Sequence, residues 1–262
     1  MRQVTTTGDA YAEMLRQARE DEGGRPTATG TLMRASGVLG CARQLAFAAI
    51  NHPESDPIGN DTLIAFSMGQ HLHEEMQAAM QRDYDMSCEV PIQISDNVSG
   101  NADGVYTDWD NGGALTVWEA KSKSNFGFKL AMKDGPELKD CLQAAVNAIG
   151  IGAPQIHMVY VCKESDYRSG LKQGQVAEWV IDLMEQFGAD TLYNQACDEL
   201  ARLESIARGI QGGVLPGRSI PGIGVIEDPP RYQAPKGAPW QCRYCQWNSV
   251  CVEMPTGEVP LP

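Results

Sequence analysis

Residues 100–123 read GNADGVYTDWDNGGALTVWEAKSK, and their reading decides the fold. Asp110-Asn111-Gly112-Gly113 in the middle is a strong turn signal, because asparagine and glycine accept the positive φ that a tight reversal needs. The flanks, GNADGVYTDW and ALTVWEAKSK, carry β-branched and aromatic residues and read as two strands joined by that turn. Alternate residues of a strand share a face, so Val117, Glu119 and Lys121 line up while Trp118 and Ala120 point the other way. Paired strands lie about 4.8 Å apart, which brings Asp103 within reach of Glu119.

Working outward, Val90, Ile92 and Ile94 alternate with polar residues as on a half-buried third strand. Before it, residues 62–82 read as a helix containing His71 and His73. The apolar-rich run TLMRASGVLGCARQLAFAAIN over residues 31–51 predicts another helix. The first 30 residues read as a short helix and a loose stretch, EDEGGRPTATG. Downstream the expectations are a helix over residues 137–149, strands at QIHMVYVCK and QVAEWVIDL, and a long helix ending near Ile210. Helices around three strands, then helix and strand again, describe an α/β fold with a mixed sheet flanked by helices. Residues 211–240 are crowded with Gly and Pro and cannot bury much core. They deliver the chain to CRYCQWNSVC. The expected organisation is a segment 1–30, a core 31–210 that includes the Cys41 helix, and a lobe 211–262 packing back on Cys41.

No apolar run approaches the length of a membrane span, and the N-terminus lacks the apolar core of a secretory signal. The expectation is a soluble, cytoplasmic protein with no membrane partner. In a reducing compartment the eight cysteines are metal ligands or small buried hydrophobes rather than disulfides. Cys88, Cys141, Cys162 and Cys197 stand singly and read as buried hydrophobes. A net charge of −13 excludes a simple basic nucleic-acid binder, but not a nuclease, whose metal site needs carboxylates.

Two carboxylates as close as Asp103 and Glu119 repel unless a cation or a proton lies between them. His71 and His73 cannot share a helix face, so at most one adds an imidazole. The pattern His-Glu-x-x-His fails, because Gln77 stands where the second histidine belongs. His73, Asp103, Glu119 and the carbonyl of Ala120 form an oxygen-rich set that suits Mg or Mn. Such an ion can drive phosphodiester hydrolysis, with Lys121 stabilising the charge that develops. Lys121, Lys123, Lys129 and Lys133 form a modest basic run that reads equally as a phosphate track or a solvated helix face. Cys242-x-x-Cys245 with Cys251 is a thiolate-only set that zinc or an iron–sulfur cluster both suit, and Cys41 is the best fourth ligand. Trp240, Tyr244 and Trp247 read as packing around it rather than as base-stacking platforms.

Together these residues resemble the RecB-like branch of the PD-(D/E)xK nucleases, and within it the iron–sulfur exonucleases of CRISPR adaptation and of phages. Gly69-x-x-x-His73 resembles that branch's helical histidine motif, Gly100-Asn101-Ala102-Asp103-Gly104 its aspartate motif, and Glu119-Ala120-Lys121 its catalytic Glu-x-Lys. Gln143 resembles the glutamine of a Gln-x-x-x-Tyr motif; a solvated helix residue is the other reading. Asn147 stands where that tyrosine belongs, a departure that bears on substrate orientation rather than on the metal ligands. The resemblance implies a restriction-endonuclease-like fold with a C-terminal iron–sulfur lobe, and a 4Fe–4S cluster on Cys41, Cys242, Cys245 and Cys251 that closes a loop of about 200 residues. It implies a metal-dependent exonuclease on single-stranded DNA, with DNA and either a second copy or recombination and CRISPR-adaptation proteins as partners. The alternatives are a non-catalytic DNA-binding or adaptor module and a redox-sensing iron–sulfur protein of DNA processing.

Overall fold

The computed structural model describes residues 7–21, 31–168, 170–227 and 239–261. In chain order it contains α1 (Thr7–Asp21), β1 (Met33–Arg34), α2 (Ala42–Ala49), α3 (Asn60–Tyr84), β2 (Ser87–Gln93), β3 (Val98–Asp108) and β4 (Ala114–Lys123). There follow α4 (Asn125–Asp134), α5 (Leu138–Ile151), β5 (Gln155–Cys162), β6 (Val176–Asp182), the two-residue strands β7 (Gln186–Phe187) and β8 (Asp190–Thr191), and α6 (Leu192–Gln211). Last come β9 (Val214–Leu215), β10 (Ser219–Ile220), β11 (Gly224–Val225), α7 (Trp240–Arg243), α8 (Asn248–Glu253) and β12 (Val259–Pro260). No helix among the described residues is long and apolar enough to cross a membrane.

Two compact units divide the chain. One comprises Arg34–Val38 and Phe66–Leu200 and holds the main sheet, ordered β1-β3-β4-β5-β6 with β2 also paired to β3. β2, β3 and β4 run antiparallel, β4 and β5 parallel, β5 and β6 antiparallel. A parallel step needs a crossover, and α4 with α5 supplies it. Every residue of β5 is buried, as befits a strand covered on both faces. One cover is α5, whose Ala144, Ala145 and Ala148 are small enough to lie close on β3, β4 and β5. On the other side Met86, Tyr106, Trp118, Ala120 and Val159 form a buried cluster, completed by Met76 and Met80 of α3. The hairpin turn closes through a short 3-10 turn at Trp109–Asn111 and left-handed Gly112 and Gly113, at φ 79° and 76°.

The helix expected over residues 31–51 is a correction. Its first part is the edge strand β1 and a 3-10 turn at Ala35–Gly37, and only Ala42–Ala49 is α-helical. Leu39 adopts φ 54°, a left-handed conformation between Gly37 and Gly40 that a helix does not tolerate. Helix α4 enters the sequence reading only as one of two readings of the lysine run; Ser124 caps it, accepting from Gly127 N at 3.3 Å.

The second unit comprises Met1–Met33, Leu39–Ala65 and Ala201–Pro262. Small antiparallel pairs, β9 with β12 and β10 with β11, give it little sheet. Polar contacts do much of the joining. Fully buried Arg43 of α2 donates to the carbonyls of Pro216 at 3.0 Å, Pro255 at 2.7 Å and Thr256 at 3.4 Å, and to that of Gly257. Asp56 caps α8 from a distant part of the chain, accepting from Ser249 N and Ser249 Oγ at 2.7 Å each. Trp247 Nε1 donates to the His52 carbonyl at 2.8 Å, and its ring lies 6.0 Å from Phe47. Glu20 and Asp21 of the expected loose stretch EDEGGRPTATG belong to α1, while residues 22–30 and much of the Gly/Pro-rich connection lie outside the described residues, as does the Trp240 side chain.

Candidate metal centre

The ladder between β3 and β4 ends at the pair Gly104 and Trp118. Beyond it the next free N–H of β4, that of Ala120, is taken by a side chain: Asp103 Oδ2 accepts it at 3.0 Å. The Asp103 carbonyl accepts from Gln77 Nε2 at 2.7 Å. Asp103 is thus fixed at both ends where the strands part. From α3, His73 brings Nε2 to 2.9 Å from Asp103 Oδ2. Its ring stacks on Trp118, with centroids 5.9 Å apart and planes 19° from parallel. Gly69, one turn earlier, explains the approach: a Cβ there would come within 3.1 Å of Ser122 Oγ. His71 points to solvent beside Glu74.

Glu89 is the candidate ligand that sequence reasoning missed. One oxygen each of Glu89 and Asp103 and one nitrogen of His73 lie within 4.8 Å of one another, the one such group among the described residues. In register Glu89 stands opposite Asp103, between the pairs Cys88–Gly104 and Val90–Ala102. That register was the available signal. A left-handed φ of 50° at Glu89 hides it from any reading that assumes a regular strand. Gln77 Nε2 donates to Glu89 Oε1 at 2.8 Å, and Asn101 Nδ2 to its other oxygen.

Glu119 is completely buried on β4. Its Oε1 accepts from Lys121 Nζ at 2.5 Å and from Gln143 Nε2 at 2.6 Å. Gln143 is therefore turned into the site rather than solvated. Ala120 joins through its amide; its side chain lies in the cluster on the opposite face. Burial first, then the Asp103 charge, push the Glu119 carboxyl up to about 8, although Lys121 pulls it down. Burial disfavours the charged form of Lys121, but Glu119 and Asp103 outweigh it and raise its pKa. His73 is likewise raised: burial opposes its charge, and Asp103, Glu89 and Glu119 override burial.

Two atoms show what the site lacks. Glu119 Oε2 is buried without a hydrogen-bond partner, and His73 Nε2 faces Asp103 off the line that a hydrogen bond requires. His73, Glu89 and Asp103 form an acceptor-rich group that fits a hard divalent cation such as Mn or Mg. Glu119, with one buried oxygen unsatisfied, lies outside that 4.8 Å group but close enough to Asp103 to feel its charge.

Asn147 is a packing residue. Its Nδ2 donates to the Asn101 carbonyl at 3.1 Å, and its Oδ1 fills the space a side chain at Gly100 would need, 1.8 Å from an ideal Cβ. Gly100→Ala is expected to lose about 1–3 kcal/mol of stability in urea denaturation, as overpacked cores do. The double variant with Asn147→Gly should regain part of it; independent, additive losses would separate the two residues.

In the other unit Cys41, Cys242, Cys245 and Cys251 line one cavity beside Phe47 and Arg218. All four are free thiols. Burial, reinforced by the neighbouring cysteines, pushes Cys242 up to about 11, and burial pushes Cys245 up to about 12. Cys251 is raised by burial, with Arg43 pulling it back by charge and hydrogen bond. Four thiols around one cavity are a donor set that suits zinc or an iron–sulfur cluster.

No protein-family model and no curated protein matches this chain. Among solved structures it is similar to the protein SSO0001, with a TM-score of 0.55 and 14% identity over 94% of this chain and 98% of that one, which shows a shared fold. It is also similar to an alkaline exonuclease from Laribacter hongkongensis, with a TM-score of 0.43 and 14% identity over 76% of this chain and 96% of that one. A complex of that exonuclease with dAMP gives 0.44 and 15% over 70% and 93%. Likeness this partial leaves the activity to be argued from the side chains.

Proposed function

We propose that this chain is a divalent-metal-dependent DNA nuclease of the PD-(D/E)xK type, acting as an exonuclease on single-stranded DNA. The observation that carries the reading is Glu119, wholly buried, with one oxygen clamped by Lys121 and Gln143 and the other left without a partner. A structural ion pair has no use for that orphan atom; a cation ligand does. His73, Asp103, Glu119 and the Ala120 carbonyl hold Mg or Mn in this reading, and Glu89 joins them. Bound there, the ion supplies Lewis-acid polarisation of a phosphodiester and makes water a better nucleophile.

The remaining work falls to the chain itself. Lys121 places an ammonium against the reacting phosphate, where it offsets the charge that gathers on the phosphorus oxygens. Gln143 holds Glu119 in one rotamer, and Gln77 ties Glu89 to the Asp103 backbone, so the acidic groups are positioned before substrate arrives. Trp118 fixes the plane of His73. Asn147, the one residue that pointed to a decayed site, is accounted for by packing against Gly100.

Cys41, Cys242, Cys245 and Cys251 are assigned to a 4Fe–4S cluster that acts as a structural clasp. What supports this over zinc is the resemblance in order and spacing of the four cysteines, which line one cavity.

The test is loss of label from end-labelled single-stranded DNA with anaerobically purified protein, in Mn or Mg and in EDTA. Metal-dependent loss is expected; intact single- and double-stranded DNA after prolonged incubation would leave the binding-module reading in its place.

The pH dependence of metal binding has a definite sign. Glu119 rises from an ordinary 4.5 to about 8, so without a cation the folded chain keeps a proton that the unfolded chain has released. Stability of the metal-free chain therefore falls as pH rises from about 4.5 to about 8. A cation must displace that proton, so Mn affinity is expected to rise about tenfold per pH unit up to about 8 and then level off. The raised His73 steepens the acid side. Titration calorimetry in two buffers of different ionisation heat reads both affinity and proton release; a flat affinity from pH 6 to 9 would remove Glu119 from the ligand set.

A further inference from the structure

Helix α4 follows Lys123 after one residue, directly downstream of the strand that carries Glu119 and Lys121. Gly127 in its first turn lies against the Lys123 side chain, and the helix packs on β4 and β5. Phe128 and Ala131 are its buried residues. Phe126, Lys129, Leu130 and Lys133 fall at i, i+3, i+4 and i+7 and share one face. That face is open to solvent: Phe126 is 75% and Leu130 46% exposed, and both lysines are exposed. The helix already buries Phe128 on its core face, so Phe126 and Leu130 make a second apolar surface where an amphipathic helix would show only polar groups.

Charge narrows what covers it. The chain carries −13 overall, yet both charges on this stripe are positive. Glu137, the nearby acid that might have neutralised them, is held by Lys123 at 2.9 Å. Lys133 has Asp134 beside it at 3.4 Å, an exposed pair that water and salt weaken. Alternating cationic and flat apolar side chains match a single nucleic-acid strand, which offers phosphates at one edge and unstacked bases at the other. A duplex offers no free base face, and an apolar protein partner has no call for the two lysines.

We propose that the exposed stripe of α4 is the track for single-stranded DNA at this site, with Phe126 and Leu130 under the bases and Lys129 and Lys133 on the phosphates. This rests on the nuclease reading. It assigns the strand preference to a named surface and places the DNA along a helix about 15 Å long.

The test uses fluorescein-labelled oligothymidylate, Mn, and the Lys121→Ala chain as parent so that the probe survives. Phe126→Ala is expected to weaken binding about tenfold, and Phe126→Trp to keep it. Lys129→Ala with Lys133→Ala is expected to reduce the slope of log affinity against log salt by about 1.4, the share of two single-strand phosphates. Manganese binding by calorimetry stays unchanged in all of them. Unchanged affinity and slope in these variants, with a parent that binds and a wild type that degrades DNA, would overturn the track and leave the nuclease standing. Loss of self-association on sedimentation, instead of loss of DNA binding, would assign the stripe to a second copy and also overturn it. A wild type that neither binds nor degrades the probe removes both readings together.

Discussion

Lys121→Met is expected to slow metal-dependent DNA degradation about 10²–10³-fold, and saturating Mn is expected not to restore it. Two effects of the substitution have to be separated. Lys121 lowers the pKa of buried Glu119, so its loss leaves that carboxyl more readily protonated and the cation weaker at neutral pH. Mass action repairs this part: more metal, or a higher pH, displaces the proton. The ammonium's action on the reacting phosphate cannot be repaired that way. Single-turnover rates across a manganese titration therefore discriminate. Full recovery at high metal would show that Lys121 serves only to keep Glu119 ionised, and the catalytic assignment would fall. Glu119→Gln should behave differently, losing metal affinity and rate together, because the amide removes a ligand charge without changing shape.

The hairpin that carries these residues was readable because its period and its turn agree. The strand expected over residues 114–123 is β4, Ala114–Lys123, and the strand expected at QIHMVYVCK differs from β5 by one residue. Glu119 on one face and Trp118 on the other follow from alternation alone. What escaped was whatever depends on a local departure from regularity. Glu89 is reached only through its left-handed backbone, and the residues 31–51 segment carries enough apolar side chains for a helix while Leu39 turns the chain out of it. Helix α4 was masked by its own exposed face, since lysines and outward-facing apolar residues give no clean stripe to read. Asn147 looked like a missing tyrosine because a pattern cannot show that Gly100 has left a hole for its side chain.

Arg43→Ala is expected to cost about 3–5 kcal/mol, the range seen when a buried charged network loses one partner. The guanidinium is fully buried and serves four carbonyls, those of Pro216, Pro255, Thr256 and Gly257. Alanine would leave those oxygens without their donor, at about 1–3 kcal/mol for each that water cannot reach. Arg43→Lys should recover only part, because a single ammonium lacks the planar fork that spans several acceptors. Urea denaturation gives the size of the loss. Hydrogen exchange gives its place: protection should fall first around residues 255–257 and Cys251, and on the iron–sulfur reading iron content should fall with it. A loss below about 1 kcal/mol would mean that the β9–β12 pair, not Arg43, holds the C-terminal segment.

The way the two units interleave along the chain sets an order on biosynthesis. Apart from Arg34–Val38, the unit that holds the sheet is one continuous run, Phe66–Leu200, and its partner is supplied from both sides of that run. A ribosome adding about 5–20 residues per second needs roughly 10–40 seconds to pass from Cys41 to Cys242. The unit that holds Glu119 and Lys121 can close while the chain is still growing, whereas Cys41 waits for the last three of the four cysteines. On the iron–sulfur reading, cluster insertion has to wait for the synthesis of Cys251, and a nascent chain stalled before that residue would carry the acidic site without the clasp.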